Sequence, residues 1–255
     1  MTAPNAENIL LNPIRAACEL VQALLRPAYK GAPSSWTMEM TAIVALLPFI
    51  LLVLHLWDAD LSRAASHSTS PFMEILRAGT DAIRTVIWLP IALAVWLVTA
   101  LLLSPSFQGG ARRWLVLLHS WATLVAASIV VGSIPVELGK LVVGRARPLL
   151  IDEVGAASFS PFNGQYLYES FPSGHSMMAG IMLVSLWIFL PRLRIVTVAI
   201  CLLFCISRVA AGVHYPTDVV AGFTIGFVSA WWVARYMATR NIIFSLDDES
   251  VMPRI

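Results

Sequence analysis

The sequence predicts an all-α integral membrane protein with six transmembrane helices and an N-terminal amphipathic helix at the membrane interface. Of its 255 residues, 58% are hydrophobic and only 13% are charged, whereas soluble domains average about 25% charged residues. Long apolar runs recur along the chain with short polar segments between them. The net charge is only +2 and no basic run occurs, so nothing indicates nucleic-acid binding.

Residues 1–35 form an N-terminal amphipathic segment. Asn12-Pro13 favours a helix start, and apolar residues from Ile14 to Leu25 then recur at helical spacing. Arg15 and Glu19 contribute to a polar side. This pattern predicts a helix lying on the membrane surface, and packing against the helix bundle explains it equally well. No short apolar core precedes a small-residue cleavage site, so we expect no cleavable signal peptide.

Residues 36–236 contain the predicted six-span domain. Crossing a hydrocarbon core of about 30 Å takes roughly 20 apolar residues, and lipid-facing spans must be helical because their backbone groups are satisfied internally. The candidate spans are 38–57, 85–104, 114–136, 174–191, 195–212 and 217–236. Only residues 191–194 separate the fourth and fifth spans, which predicts a tight hairpin. Residues 237–255 are predicted to be a loose, polar cytoplasmic tail.

The distribution of Lys and Arg predicts the orientation. Ten lie on the side of the N-terminus and seven on the opposite side. Four of those seven belong to the motifs described next, which leaves ten against three. We therefore expect a multi-pass protein of the inner membrane with both termini in the cytoplasm. The loops at 137–173 and 209–216, and with them the candidate site, would lie on the extracytoplasmic face.

The first motif follows the third span and joins Lys140 to Arg147-Pro148. Seven residues make about two helical turns, so a helix continuing this far would present both cations on one face. Pro148 disfavours helix at Arg147 and should end it. Taken alone, the pair is equally consistent with two ordinary interfacial cations.

The second motif, Pro172-Ser173-Gly174-His175, opens the fourth span. Ser173 is a suitable N-cap, and Gly174 allows the backbone to approach a ligand closely. The N–H groups and positive dipole end of a helix start favour an anion. A capped helix start alone would explain Ser173 and Gly174 but not His175.

The third motif places Arg208 near the end of the fifth span, followed by His214 and Asp218. Pro216 suits the first turn of the sixth helix. Because His214 and Asp218 are four residues apart, the carboxylate can reach the imidazole. A charged residue at membrane depth usually has a partner or a function, so Arg208 also indicates a site.

Together these motifs combine three cations and a helix start with two histidines and a carboxylate, which suits transfer of a phosphoryl group. No His, Asp, Glu or Cys group on this side has metal-ligand spacing, so neither a metal nor a cofactor is expected. His55 and His119 each stand alone in an apolar span, and we interpret them as packing residues whose hydrogen bonds are satisfied. Gly222 and Gly226 form a GxxxG pattern that predicts helix packing.

The three motifs KX6RP (140–148), PSGH (172–175) and SRX5HX3D (207–218) resemble the signature of the type 2 phosphatidic acid phosphatase superfamily. Their order and separations match, over about residues 137–222. The resemblance implies a metal-independent phosphohistidine mechanism with a phosphorylated lipid as substrate. It implies His214 as nucleophile, His175 as acid and Asp218 as support for His214. The phosphate-binding residues that it implies are Lys140, Arg147, Ser173, Gly174 and Arg208.

Two other functions fit parts of the pattern. A phosphotransferase that moves phosphate between lipids would use the same catalytic set. A transporter that binds lipid headgroups would explain the cations but not the two histidines with Asp218. The candidate substrates are phosphatidylglycerol phosphate, phosphatidic acid, a polyprenyl diphosphate and a phosphorylated sugar lipid. The sequence leaves the choice among them, and the oligomeric state, open.

Overall fold

A computed structural model describes residues 6–80, 84–103, 110–246 and 252–253, with side chains from residue 13 onward. The ends of the predicted N-terminal segment and tail, and residue 104 of the second predicted span, lie outside these ranges. The helices are α1 (Ala6–Leu25), α2 (Met38–His55), α3 (Asp58–Ser66), α4 (Pro71–Gly79), α5 (Thr85–Leu102), α6 (Gly110–Val143), α7 (Ile151–Val154), α8 (Gly174–Phe189), α9 (Arg194–Ala210) and α10 (Pro216–Ala238).

Among the described residues, five helical segments are long and apolar enough to cross a membrane, so the protein is an integral membrane protein. They are α2, α5, α6, α10 and α9 together with the 3₁₀ turn that precedes it from Pro191. The fourth predicted span is the shorter α8, whose 16 residues extend about 24 Å at 1.5 Å per residue. Residues 176–185 of α8 are all buried, which places this helix inside the bundle. The expected hairpin is confirmed, since a single 3₁₀ turn at Pro191–Leu193 joins α8 to α9.

Glycines bring α8 and α10 into backbone contact. A Cβ added to Gly222 would overlap the Ser173 carbonyl oxygen, and one added to Gly226 would overlap that of Met177. The same is true of Gly180 on α8, which faces the Phe223 carbonyl on α10. The GxxxG pattern is therefore a helix-packing motif, as predicted, and it fixes the starts of both helices relative to each other.

Helix α6 continues past the predicted third span (114–136) but ends at Val143, before Pro148 is reached. Gly144 adopts a left-handed φ of +57°, and its N–H closes the helix on the Lys140 carbonyl at 2.9 Å. Arg147 is extended, as expected for a residue before proline. Lys140 and Arg147 therefore do not share a helical face, because Gly144 ends α6 before the chain reaches Pro148.

Two short helices, α3 and α4, cover the end of α9 that leads into the third motif. The Arg77 side chain holds them there, with Nε donating to the Ala210 carbonyl at 2.9 Å and Nη2 donating to the carbonyls of residues 65, 66 and 68. No apolar run long enough for a span occurs here, so we predicted no helix for these residues.

The two terminal segments both pack on the bundle. Leu20 and Leu24 of α1 contact the apolar cluster around Leu124, while Ile14 and Leu25 remain exposed. The last part of α1 thus follows the packing alternative. Ile242 and Phe244 are buried in the same cluster, so residues 239–246 are not the loose tail that was predicted. Their apolar side chains supply the burial that holds them in place.

Candidate active site

The three sequence motifs meet at one end of the bundle. The Ser173 N–H donates to the Asp218 carbonyl at 3.0 Å, which joins the start of α8 to the start of α10. Arg147 reaches the same place, since its Nη1 donates to the Val213 carbonyl at 3.1 Å. Lys140 Nζ lies 4.0 Å from the position that a Cβ on Gly174 would occupy. Residues that are far apart in sequence thus form a single polar centre.

His214 lies between α9 and α10 and is only 3% exposed. Its Nδ1 is 2.7 Å from the Ser170 carbonyl oxygen. Because a carbonyl can only accept a hydrogen bond, Nδ1 must carry the proton and Nε2 must carry the lone pair. The fold therefore holds His214 in the tautomer whose Nε2 can attack an electrophile.

Asp218 does not bind the His214 ring in the predicted way. Its Oδ2 is 3.8 Å from Nδ1, which is too far for a hydrogen bond. Oδ2 instead accepts from the Ser170 hydroxyl at 2.6 Å and from the Tyr215 N–H at 2.8 Å. The Ser170 carbonyl has taken the expected place of the carboxylate. Asp218 therefore supports His214 through Ser170 and through its nearby negative charge.

A buried ion-pair network fixes Asp218 from the other side. Arg145 donates from Nη1 to Asp218 Oδ1 at 2.7 Å and from Nη2 to Asp58 Oδ2 at 2.8 Å. Asp58 also accepts from the Thr217 N–H at 3.0 Å and the Thr217 hydroxyl at 2.6 Å. Burial lowers the pKa of Arg145, but the two carboxylates outweigh it and the net direction is upward.

Sequence reasoning missed Asp58 and gave Arg145 no role. Asp58 is fully buried although it lies in a polar stretch without any motif. Its one signal was the neighbouring His55, which we interpreted as a packing residue. In the structure His55 Nδ1 lies 2.9 Å from Asp58 Oδ2 and 3.3 Å from Arg145 Nη2. The ring is therefore satisfied, as predicted, but it belongs to a polar network and does not stand alone in an apolar span. His119 does pack as predicted, against Trp96 and with Nδ1 2.9 Å from the Thr99 hydroxyl.

The predicted phosphate-binding cations differ in their surroundings. Lys140 Nζ pairs with Glu137 at 2.8 Å and keeps 18% of its side chain exposed. Arg147 is buried, and three of its donors bind the carbonyls of Tyr166, Val213 and Glu169. Arg147 therefore also holds the loop before Ser170 in place.

Arg208 is 5% exposed, and its Nη1 donates to the Thr80 hydroxyl at 2.7 Å. Thr80 follows α4, so the short helices position this cation. Ser173 is the N-cap of α8, as predicted, and accepts from the Ser176 N–H at 3.4 Å. Its neighbours Gly174 and His175 occupy the first turn of α8, where both are partly exposed.

Burial lowers the pKa of His214 to about 4. Asp218 opposes this shift, whereas the positive charges of Arg147 and Arg208 strengthen it. Both arginines are therefore close enough to act electrostatically on the ring. Above this pKa the imidazole is neutral, which is the form that a nucleophile requires.

An apolar groove of about 350 Å³ opens beside this centre between α2 and α6. Its polar end is formed by His55, Arg145 and Thr217, and its walls include Phe159 and Phe171. Phe159, in the loop between α7 and Ser170, thus lines the groove beside the site. Among the residues that the structure describes, no group of three or more His, Cys, Asp or Glu side chains is arranged to hold a metal ion.

Residues 120–242 match the model of the PAP2 superfamily. The matched segment, which we refer to as the PAP2 domain, is 123 of the 255 residues, slightly less than half of the chain. This match confirms the resemblance to the type 2 phosphatidic acid phosphatases. The PAP2 domain contains all eight predicted site residues, whereas Asp58 and Thr80 come from the segment before it.

Similar proteins carry names of lipid phosphatases. The chain is 35% identical over 119 residues to a lipid A 1-phosphatase of Rhizobium johnstonii, covering 47% of this chain and 49% of that protein. It is 34% identical over 128 residues to the lipid A 1-phosphatase of Rhizobium etli, covering 50% and 55%. It is also 31% identical over 150 residues to an undecaprenyl-diphosphatase of Sulfolobus acidocaldarius, covering 56% and 60%. The match spans about half the length of the two Rhizobium proteins.

Among solved structures, the chain is similar to a transmembrane PAP2-type phosphatidylglycerolphosphate phosphatase from Bacillus subtilis. The TM-score is 0.45 and the sequence identity is 24%, over 77% of this chain and 94% of that one.

Proposed function

We propose that this protein is a membrane phosphatase that hydrolyses a lipid phosphate through a phosphohistidine on His214. The observation that carries the proposal is the hydrogen bond from His214 Nδ1 to the Ser170 carbonyl. It leaves the lone pair on Nε2, and the lowered pKa keeps the ring neutral. A buried, neutral and oriented imidazole beside several cations suits nucleophilic attack on a phosphate.

In the first step, His214 Nε2 attacks phosphorus in line and the bond from phosphorus to the lipid oxygen breaks. His175, in its protonated form, gives a proton to the departing oxygen, and general acid catalysis of this kind contributes about 10²–10⁴-fold. In the second step, neutral His175 takes a proton from a water molecule that attacks the phosphohistidine. Inorganic phosphate leaves and His214 regains its lone pair. Asp218 stabilises the positive charge that develops on the His214 ring.

The phosphate oxygens would lie among Lys140, Arg147, Arg208 and the α8 start at Ser173 and Gly174. Proximity of Lys140 to Gly174 and the electrostatic effect of both arginines on His214 support this arrangement. Several cations suit a phosphoryl group because charge is spread over its equatorial oxygens during transfer. The partly exposed Lys140 stands at the entrance to this cluster.

Two apolar grooves lead to the polar centre and would accept the acyl chains of a lipid. One is the groove between α2 and α6 described above. The other, of about 210 Å³, lies between α4 and α9 and ends at Ser207, next to Arg208. A phosphate held at the cations would thus place the lipid tails on apolar surface.

We propose a phosphorylated sugar lipid of the lipid A type as the substrate, on the strength of the two Rhizobium relatives. A polyprenyl diphosphate is the second candidate, supported by the Sulfolobus relative. The test is release of inorganic phosphate by purified protein from lipid A, undecaprenyl diphosphate, phosphatidic acid and phosphatidylglycerol phosphate. We expect lipid A to have the highest kcat/KM and His214→Ala to be inactive on all four lipids.

The same assay tests metal independence. Activity should persist in excess EDTA and be inhibited by vanadate, which mimics pentacoordinate phosphorus. Loss of activity in EDTA that magnesium restores would contradict the mechanism. Transfer of the phosphate to a second lipid, without phosphate release, would instead show a phosphotransferase.

We also propose that the site faces the extracytoplasmic side, as the charge distribution predicts. The exposed Cys18 would first be replaced by serine. Gln165→Cys should then react with an impermeant thiol reagent in cells whose outer membrane is permeabilised, and Arg192→Cys should not. The reverse pattern would place the site in the cytoplasm.

A further inference from the structure

A second cationic cavity lies at the opposite end of the bundle from the candidate active site. It has a volume of about 920 Å³ and is bounded by the start of α6, the end of α8, the turn into α9 and residues 252–253. Trp187 and Phe189 from α8 and Val116 and Leu117 from α6 form apolar walls. The cavity is larger than either groove beside the active site.

Three arginines, Arg112, Arg113 and Arg194, line this cavity. No carboxylate lines it among the residues that the structure describes. Cytoplasmic loops are expected to carry extra arginines, but that rule does not require them to converge on one apolar cavity. Three positive charges brought together repel one another, and an anion between them relieves this repulsion.

The length of helix α6 gives the distance between the cavity and the candidate active site along the bundle. Arg113 and Lys140 both lie on this helix and are 27 residues apart, which corresponds to about 40 Å along its axis at 1.5 Å per residue. A bilayer with its headgroup regions is about 40–45 Å thick. When Lys140 is at the headgroups of one leaflet, the cavity is therefore at the headgroups of the other.

We propose that this cavity binds an anionic phospholipid from the leaflet opposite the active site. The lipid phosphate lies among Arg112, Arg113 and Arg194, and an acyl chain follows the wall formed by Trp187 and Phe189. The apolar wall favours a lipid over a free phosphate ion. This site is separate from the catalytic centre and does not depend on the proposed reaction.

Native mass spectrometry of detergent-purified protein tests the proposal with added phosphatidylglycerol or phosphatidylcholine. The wild-type protein should bind phosphatidylglycerol more tightly than phosphatidylcholine. Arg194→Gln should weaken phosphatidylglycerol binding about fivefold, since a basic residue near a membrane surface contributes about 1 kcal/mol. Arg192→Gln is the matched control, because it removes one charge from the same turn without lining the cavity. Arg194→Lys keeps the positive charge and should therefore retain binding. This result would show that the position tolerates substitution.

Equal weakening by Arg194→Gln and Arg192→Gln, or no preference for phosphatidylglycerol, would overturn the proposal. Displacement of the lipid by millimolar inorganic phosphate would also overturn it, because the cavity would then be a phosphate site. An acidic segment of the chain itself is the remaining alternative to a lipid as occupant of the cavity. This segment is Asp247, Asp248 and Glu249, which precedes Met252 in sequence. If lipid binds only after these three residues are replaced by their amides, the tail occupies the cavity and the proposal is wrong.

Acyl-chain placement is tested separately by fluorescence. Phosphatidylglycerol with brominated acyl chains should quench Trp187, so Trp187→Phe should remove part of the quenching seen in the wild-type protein. Unchanged quenching in that variant would show that the chain does not follow this wall, contrary to the proposal.

Discussion

The α8–α10 pair and the α2–α4 segment hold the same centre by different means. Between α8 and α10, glycines remove side chains so that the backbones touch, as at Gly222 and Gly226. The α2–α4 segment instead contributes single polar side chains, Asp58 and Thr80, that bind arginines of the PAP2 domain. We expect a substitution at the glycine contact to disrupt the folding of the whole centre. Substitutions in the α2–α4 segment should instead leave the protein folded and lower its activity by different amounts.

The largest effect is expected at the helix contact. Gly226→Ala would place a Cβ on the Met177 carbonyl oxygen. Overpacking typically costs about 1–3 kcal/mol and occasionally more, and we expect the upper end here because the atom that must move is backbone. We expect little monodisperse protein in size-exclusion chromatography and a lower Tm for any that remains. Gly110→Ala is the control, because a Cβ there meets nothing within 4 Å. Normal folding of Gly226→Ala would show that α8 and α10 have room to separate.

The next effect is expected at Asp58. Asp58→Asn leaves the buried Arg145 with a single carboxylate. Loss of the sole partner of a buried ion costs about 3–5 kcal/mol, and the remaining Asp218 carboxylate reduces that cost. Because Arg145 still pairs with Asp218, we expect a folded protein whose kcat/KM falls about 100-fold, mainly in the rate of phosphoenzyme formation. Asp60→Asn, at an exposed position of the same helix, should behave as wild type. If both variants keep full activity, the buried network does not position Asp218.

A smaller effect is expected at Arg208. Arg208→Lys keeps the charge but loses the planar guanidinium, which we propose binds two phosphate oxygens. We expect kcat/KM to fall at least tenfold, to about the level that loss of a charge-assisted hydrogen bond produces. Near-normal activity would show that only a positive charge is needed at this position.

Thr80 provides the companion test on the α2–α4 side. Thr80→Val removes the hydroxyl that binds Arg208 and keeps the side-chain shape. Activity should fall less than in Arg208→Lys, and Thr80→Ser should restore it. Failure of the serine variant to restore activity would assign Thr80 a packing role only.

The smallest effect is a change in titration rather than in rate at neutral pH. Burial lowers the pKa of His214 from 6.5 to about 4, so the ring should stay neutral with Nδ1 protonated as pH falls from 7 to about 5. The ¹⁵N chemical shifts of labelled histidine, assigned with His214→Gln, measure this directly. A transition near pH 6.5, or a proton on Nε2 in the neutral form, would contradict the tautomer that the Ser170 carbonyl imposes.

The difference between the two sides also explains what could be predicted from sequence. The groups proposed for catalysis need particular side chains at fixed spacing, so the motifs predict His175, His214 and Asp218. The partners of these residues need only a hydrogen bond in the right place, and different backbone or side-chain groups can supply it. The Ser170 carbonyl replaced the expected carboxylate for this reason. Because every residue has a backbone carbonyl, the sequence does not indicate which of them will accept this hydrogen bond.

Long-range pairing limited the rest of the prediction. Six apolar runs predicted six helices, although α8 proved too short to count by length alone. Asp58 and Asp218 converge on Arg145 only in the folded bundle, and neither spacing nor composition relates Asp58 to the PAP2 domain. The polar network around His55 was not predicted because an apolar span surrounds it in sequence, whereas a buried ion pair lies beside it in space.

The most direct test of the central claim is to trap the phosphate on His214. His175→Ala lacks the proposed base for hydrolysis, so the phosphoenzyme should accumulate when the leaving group needs no proton, as with nitrophenyl [³²P]phosphate. We expect acid-labile label on His214 in His175→Ala after a short incubation, and none in His214→Ala or in the double variant. Label on another residue, or label that persists in His214→Ala, would contradict the assignment of His214 as the nucleophile.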